Sequence, residues 1–518
     1  MKHNKKYRNN NTGFSQDLLR MSFKENEWST AVLEVREKLP SPISVKIVMN
    51  ENDFYALKND WNKIVQNSSA TIYQTFEWLY NWWKYFGKGN QYNLHIILIY
   101  LSDESKDFEG SDQSKVDIGK KLIGIGPFLI HNRSIAEFRV SRQIRLLGCG
   151  LHSGKSGSNA IEQEGLSDYL DVICDDEFKL KVAETLSSYF TYFKYIYDEI
   201  DFQNISNDSF IFTNLLPLMQ KNEFNIAIKR SDICPRLIVP ETFDSFMGSV
   251  KSSTRRRLKQ TLKNVEEGSL CKIEEVSLED YDSSLLSLNQ LHQKRWNELG
   301  YPGLFSDARV GRFVNEVNKE FLKLGILWFK ILKINDKVIA ARLGFKFNNR
   351  VYDYLSGFDN ISASASLRPG LILILEMIKD AVAYSWHIVD FLRGAEEYKF
   401  EISSELGYNY HVIINHTESQ RKFKTAQIKI LEYITQLLHR IKNEKSIVIL
   451  HAKLHGKILF VKPYLKFCFK RIQIIAGRSN IRIRPEEKTL KSNKYEIELA
   501  NDKKKLNKHK LNEIEINA

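Results

Sequence analysis

Residues 350–400 read RVYDYLSGFDNISASASLRPGLILILEMIKDAVAYSWHIVDFLRGAEEYKF and concentrate the groups best suited to chemistry. Asp390, Arg393, Glu396, Tyr398 and Lys399 fall within ten residues of one another. Carboxylates can accept a proton, a phenol can give one, and guanidinium and ammonium groups hold anions. Upstream, Arg368-Pro369-Gly370-Leu371 opens an apolar, helix-like run. Proline suits a first helical turn, where a missing N–H costs nothing. The start of such a helix offers free N–H groups and partial positive charge. Glycine lets a ligand approach the backbone, and arginine adds a fork of donors. Together these residues suit a diphosphate cradle beside a proton-transfer cluster. They equally make a capped helix followed by a solvated, salt-bridged turn, and on residue types alone both readings stand.

Positioning such groups requires a strand, a crossover helix and a second strand. The pattern predicts strands at 326–334, 337–347 and 350–357, a helix at 369–384 and a strand at 387–392. Helices are expected at 242–266, 278–299 and 307–324. The first half has a similar rhythm. A strand begins at Val45, apolar Phe54, Leu57, Trp61 and Ile64 recur at helical spacing, and the aromatic run FEWLYNWWKYFG closes on Gly87. Strands follow at Leu94–Leu101 and Lys121–Ile130, then the Gly/Ser loop GCGLHSGKSGSNA, a strand-like DYLDVI, a helix at 178–193 and a strand at 195–202. Helices alternate with an antiparallel meander, so the fold class is mixed α/β.

At this point the chain resembles the CelD-type branch of the GNAT acyltransferase superfamily, related to the FemAB peptidyltransferases. The resemblance rests on RPG opening a helix, on DFLRGAEEYK (390–399) and on LHQKRWNELGYPGLF (291–305). STRRRLKQTL (253–262), IYQTFEWLYNWWKYFG and GLSDYLDVI agree with it. It implies two tandem GNAT-like lobes, each a mixed, mostly antiparallel sheet flanked by helices, over 43–235 and 236–418. A disordered leader (1–42) precedes them, and a helix plus a basic, partly disordered tail (419–518) follows. It also implies acyl transfer from a thioester, acyl-CoA and most simply acetyl-CoA, to an amine or hydroxyl of a saccharide or sugar-nucleotide acceptor, as in exopolysaccharide biosynthesis. Carried over by position, Arg368, Pro369, Gly370 and Leu371 would bind the CoA diphosphate, and Tyr398 would protonate the leaving thiolate. Glu396, Glu397, Asp390 and His292 compete for the base. Arg295, Trp296, Arg393 and Lys399 would line the substrate. No Ser or Cys nucleophile is placed, so direct transfer is favoured over an acyl-enzyme. Two alternatives remain: a FemAB-like transferase using aminoacyl-tRNA, and a non-catalytic component of a polysaccharide export complex.

Composition narrows the field further. Of 518 residues, 43% are hydrophobic and Gly and Pro are few, which excludes a disordered or collagen-like chain. No apolar run approaches the ~20 residues of a membrane span. The five cysteines are scattered without metal spacing, so no metal is expected and a cytoplasmic setting fits. Net charge is +13, yet residues 421–518 hold 24 Lys/Arg against 9 Asp/Glu. The first 420 residues hold 52 against 54, so the body is not a basic nucleic-acid binder. The tail, with basic and apolar residues mixed, suits contact with an anionic membrane surface. Arg255-Arg256-Arg257-Leu258-Lys259 can clamp a phosphate or can be a solvated helix face. Trp78, Trp82, Trp83, Tyr85 and Phe86 have the spacing of core more than of a sugar platform.

Overall fold

The computed structural model describes residues 43–416 except 90, 103–119, 136–137, 151–164, 195, 268–270 and 360–366. The leader, the loop around Lys155 and the basic tail lie outside the described residues.

In the first half, β1 (Ile43–Val48) is followed by α1 (Glu51–Ala56), α2 (Lys58–Gln66) and α3 (Phe76–Trp82). Then come β2 (Tyr92–Ser102), β3 (Lys120–Ile135), β4 (Phe138–Leu146), the two-residue β5 (Ile173–Cys174), α4 (Lys179–Tyr192) and β6 (Glu199–Ser206). Helix α5 (Leu216–Lys221) and β7 (Asn225–Ile238) lead into the second half. There the order is α6 (Phe243–Ser249), α7 (Ser252–Glu267), β8 (Cys271–Glu275), α8 (Tyr281–Glu298), α9 (Ala308–Lys323), β9 (Leu327–Ile334), β10 (Lys337–Phe347) and β11 (Arg350–Phe358). It closes with α10 (Pro369–Ala383), β12 (Ile388–Asp390), α11 (Glu397–Ile402) and β13 (Glu405–Asn415).

The fold is mixed α/β: among the described residues one large, mostly antiparallel sheet is flanked by helices, in the order β1-β2-β3-β4-β6-β13-β7-β12-β11-β10-β9-β8. Each half repeats one plan. A meander (β2-β3-β4, β9-β10-β11) leads through a crossover helix (α4, α10) to a parallel strand (β6, β12). The last strand, β13, is hydrogen-bonded to β6 of the first half and to β7. One sheet therefore runs through both halves, and the boundary placed at 235/236 falls inside β7.

The aromatic helix α3 is core, as its spacing suggests. Trp78 is 1% exposed and packs against Phe313, Phe345 and Tyr354 of the second half. Burying such a ring is worth several kcal/mol, so the halves are joined by apolar area as well as by strand pairing. Two expectations change. The single helix 242–266 is broken at Val250-Lys251 into α6 and α7. The DYLDVI strand is irregular except for Ile173, because its polar side chains serve other elements. Asp171 accepts from the Phe210 and Ile211 amides (2.6 and 2.9 Å), and Asp168 accepts from Asn409 (2.9 Å).

Candidate active site

The site is built where β11 and β12 part. They pair in parallel over only three residues, Arg350–Tyr352 with Ile388–Asp390. On its other side β11 slips register against β10 between Leu343 and Gly344, as a β-bulge does. Gly344 permits this, since a Cβ there would lie 2.4 Å from the Tyr352 carbonyl oxygen. Beyond the bulge β11 continues to Phe358 without β12, so the strands splay.

Helix α10 begins next to that splay. Arg368 is its N-cap, in the left-handed conformation (φ 56°), and is exposed. Its carbonyl accepts from the amides of Leu371 (2.9 Å) and Ile372 (3.2 Å). The Leu371 amide is therefore spent inside the turn and is no cradle donor, and Pro369 has no N–H. Gly370 remains as the first amide donor of the helix. Its missing side chain has a different use from the one expected: a Cβ there would lie 2.8 Å from the Phe358 ring, so the glycine seats the helix on β11. Over the same ring lies the guanidinium of Arg295, 4.6 Å from its centroid. Arg295 from α8 therefore sits on the same Phe358 ring that abuts Gly370 at the start of α10. Helix α8 comes this close because a Cβ on Gly357 would meet the His292 amide and the Leu288 carbonyl at 2.7 Å.

Beneath the tip lies a pair that sequence reasoning missed. Arg342 of β10 and Asp353 of β11 form an ion pair with side chains 3% and 4% exposed. Arg342 also lies 3.4 Å from the Gly370 carbonyl oxygen, at the long limit of a hydrogen bond. Tyr398, at the start of α11, is half-buried and close enough to Arg342 and Asp353 to feel both charges. Burial first, then the Asp353 carboxylate, push its phenol well above the ordinary range, against the opposing pull of Arg342. Tyr398 is therefore a neutral proton donor at any physiological pH.

The remaining candidates are divided. Glu396 is half exposed, pairs with Lys399 (3.0 Å), and lies close enough to raise the Tyr398 pKa. Glu397 is exposed. Lys399 is 5% exposed and donates to the Arg393 carbonyl (2.8 Å), so it holds the turn together and faces no open space. Asp390 is fully buried. It accepts from Tyr169 and from the Leu392 amide (2.9 Å each) and is flanked by Arg350 (3.1 Å) and Arg236 (3.3 Å). A carboxylate so surrounded anchors the two halves and is a poor base. Arg393 has a similar task, donating to the carbonyls of Gly165 (3.0 Å) and Ser167 (3.3 Å) beside Asp168 (3.4 Å). His292 is 6% exposed, and burial lowers its pKa to about 4. Trp296, 38% exposed, stacks edge-on with the exposed Tyr301 at 5.8 Å, one turn from His292.

Among the described residues no helix is long and apolar enough to cross a membrane, and no three His, Cys, Asp or Glu side chains group as metal ligands. No curated protein matches the chain in sequence. Solved structures similar to it include FemX (10% identity, 71% of this chain and 98% of that one, TM-score 0.48). L-PGS from Bacillus licheniformis is another (9% identity, 74% and 96%, TM-score 0.39). So is a tandem GNAT protein from the clavulanic acid biosynthesis pathway (8% identity, 71% and 98%, TM-score 0.31). Residues 252–400, which run from the first turn of α7 to Lys399 and beyond it by one residue, match the family model described as an acetyltransferase (GNAT) domain.

Proposed function

We propose that the protein transfers an acyl group from a thioester carrier, acyl-CoA and most simply acetyl-CoA, to an amine or hydroxyl of a saccharide or sugar-linked acceptor. The reading extends to exopolysaccharide biosynthesis in the CelD manner, at the cytoplasmic face of a membrane. One observation carries it: a neutral, half-buried phenol lies within electrostatic reach of a buried Arg–Asp pair, near a helix N-terminus capped by Arg368 with Arg295 over the neighbouring Phe358 ring.

The residues fit a diphosphate carrier in part. Arg368, Arg295 and the Gly370 amide would hold the diphosphate, whereas the space expected at Gly370 belongs to Phe358. The splay between β11 and β12 leaves unpaired strand edge on which a thioester-bearing arm can lie, its carbonyl polarised by backbone N–H groups. Glu396, the accessible carboxylate nearest Tyr398, takes a proton from the acceptor directly or through water. Tyr398 gives its proton to the leaving thiolate, and the Arg342 guanidinium steadies the phenolate that results. Trp296 and Tyr301 offer aromatic faces to a sugar ring.

The test is a screen of acyl-CoAs by thermal shift and by thiol release in the presence of sugar, amino-sugar and sugar-nucleotide acceptors. Thiol release that needs both substrates and is lost in Tyr398→Phe supports the reading. Activity that requires charged tRNA and disappears with ribonuclease replaces it with aminoacyl transfer. Neither binding nor turnover of any carrier leaves a non-catalytic export component.

A further inference from the structure

The turn between β12 and α11, which leads to Glu396 and Tyr398, has an unfavourable backbone. Leu392 lies in the left-handed region (φ 56°), which a bulky residue rarely adopts. Gly394 follows at φ 135°, and a Cβ there would lie 2.1 Å from Glu396 Oε2 and 2.7 Å from Lys399 Nζ. Strain of this kind persists only where the surroundings over-determine it. Here they do so from three directions. The Phe391 and Gly394 amides donate to the Pro235 and Ile233 carbonyls of β7 (3.0 and 3.1 Å). Inside the turn, Lys399 Nζ donates to the Arg393 carbonyl (2.8 Å) and pairs with Glu396 (3.0 Å). From the first half, the Gly165 and Ser167 carbonyls accept from Arg393 Nη2 (3.0 and 3.3 Å), and Asp168 lies 3.4 Å from its Nε.

What Arg393 grips is itself immobilised. Leu166–Leu170, the middle of the GLSDYLDVI stretch, are each 3% exposed or less although they form no strand. Trp78 Nε1 donates to the Ser167 hydroxyl (2.8 Å), and Asn204 Nδ2 donates to the Ser167 carbonyl (2.9 Å). Gln74 Nε2 donates to the Tyr169 carbonyl (2.6 Å), and the Tyr354 hydroxyl to that of Leu166 (3.2 Å). Buried donors from several elements thus fix an irregular segment whose own carbonyls and carboxylate hold one guanidinium. Burial in a low dielectric strengthens each of these bonds and makes losing one costly. An arginine fork suits three acceptors at once, where a lysine offers a single point.

We propose that the Gly165–Asp168 segment is a platform by which the first half positions the proton-transfer turn of the second, with Arg393 as the positioning residue. The relay runs Asp168–Arg393–Lys399–Glu396, each link 3.4 Å or less, and α11 carries it to Tyr398. It rests on the reading of Tyr398 and Glu396 as proton donor and acceptor, and gives the GLSDYLDVI stretch a part in the reaction.

3-Fluorotyrosine incorporated at position 398 of the full chain gives one fluorine resonance that reports the turn without any turnover. In the wild type it should be single and should titrate well above a solvated 3-fluorotyrosine. Arg393→Ala should broaden or split it and lower its titration by about one pH unit or more. Millimolar guanidinium should restore the wild-type signal, and Arg393→Lys should fall between the two. Phe190→Leu, in the first-half core against Phe128 and Tyr197, controls for lost stability and should leave the resonance unchanged well below its Tm. In thiol release from acetyl-CoA with the acceptor found in the screen above, Arg393→Ala should lower kcat by about 10²-fold, the cost of a small misplacement. Its calorimetric affinity for acetyl-CoA should stay that of the wild type. If Arg393→Ala leaves the resonance unchanged, or Phe190→Leu disturbs it equally, the platform is overturned while the donor reading stands. A disturbed resonance with unchanged kcat overturns it too, as does a loss of acetyl-CoA affinity that accounts for the lost turnover. If the resonance responds as expected but no carrier is turned over by the wild type, the platform stands as a device that orders the turn and the donor reading falls.

Discussion

Arg342 and Asp353 form a buried ion pair across adjacent strands, and Tyr398 lies within electrostatic reach of both charges. Removing one member of such a pair strands the other charge, which typically costs about 3–5 kcal/mol. Replacing both with apolar residues of similar volume is often neutral. Arg342→Ala is therefore expected to lower the Tm by many degrees, and Arg342→Met/Asp353→Leu to recover most of it. Acyl transfer should stay low in the double variant, because the guanidinium that would steady the Tyr398 phenolate is gone. Recovery of turnover along with Tm would reduce the pair to a packing role.

Tyr398→Phe removes the proton donor and almost no volume. Turnover should fall by about 10²–10⁴, the usual range for general acid catalysis, while the carrier affinity changes little. The phenol pKa is raised above its ordinary value, so Tyr398 stays protonated throughout the neutral and mildly alkaline range. The alkaline limb of kcat in the wild type should accordingly show no loss assignable to this phenol below about pH 10. An alkaline loss near neutrality that vanishes in Tyr398→Phe would contradict the role.

Arg368→Ala and Arg295→Ala should each weaken acyl-CoA binding, by about tenfold or more, as expected for charge-assisted contacts. Arg295 is the sharper probe. Its guanidinium lies over Phe358 on a different helix from the tip, so cap geometry is untouched by its loss. Unchanged calorimetric affinity in both variants would remove the diphosphate assignment.

Much of the second half can be read from periodicity alone. Strands β9–β11 and helix α10 lie within a few residues of their expected ends, because each has one apolar face and a clear turn or Pro-Gly start. The site is less legible. Arg342 and Asp353 are eleven residues apart in separate strands, and a lone charge in an apolar strand reads as an exposed edge until the partner strand is known. Asp390 fails in the opposite direction. It sits among reactive residue types, yet Tyr169, from 221 positions upstream, and two arginines consume it. Strand β13 is not legible for the same reason, as its pairing with β6 and β7 depends on contacts remote in sequence.

His292 ties the α8 packing to pH. Burial holds its folded pKa at about 4, below the ~6.5 of an unfolded chain. Between those values the unfolded state binds the proton and the folded state does not, so folding is favoured less as pH falls. The contribution is fully present above about 6.5 and is lost progressively towards 4, where both states are protonated. A gap of this size corresponds to about 3 kcal/mol over the whole window. His95 behaves in the same way, being buried beside Tyr189 with its pKa also lowered to about 4, so the wild-type loss sums both groups. His292→Gln should keep much of the packing and carry no titratable proton. Denaturant midpoints at pH 7.5 and pH 5 should then converge by roughly half in the variant relative to the wild type. An identical pH dependence in the two proteins would mean that His292 is solvated, and that α8 does not seal against β11 at Gly357 as tightly as the 2.7 Å backbone approach requires.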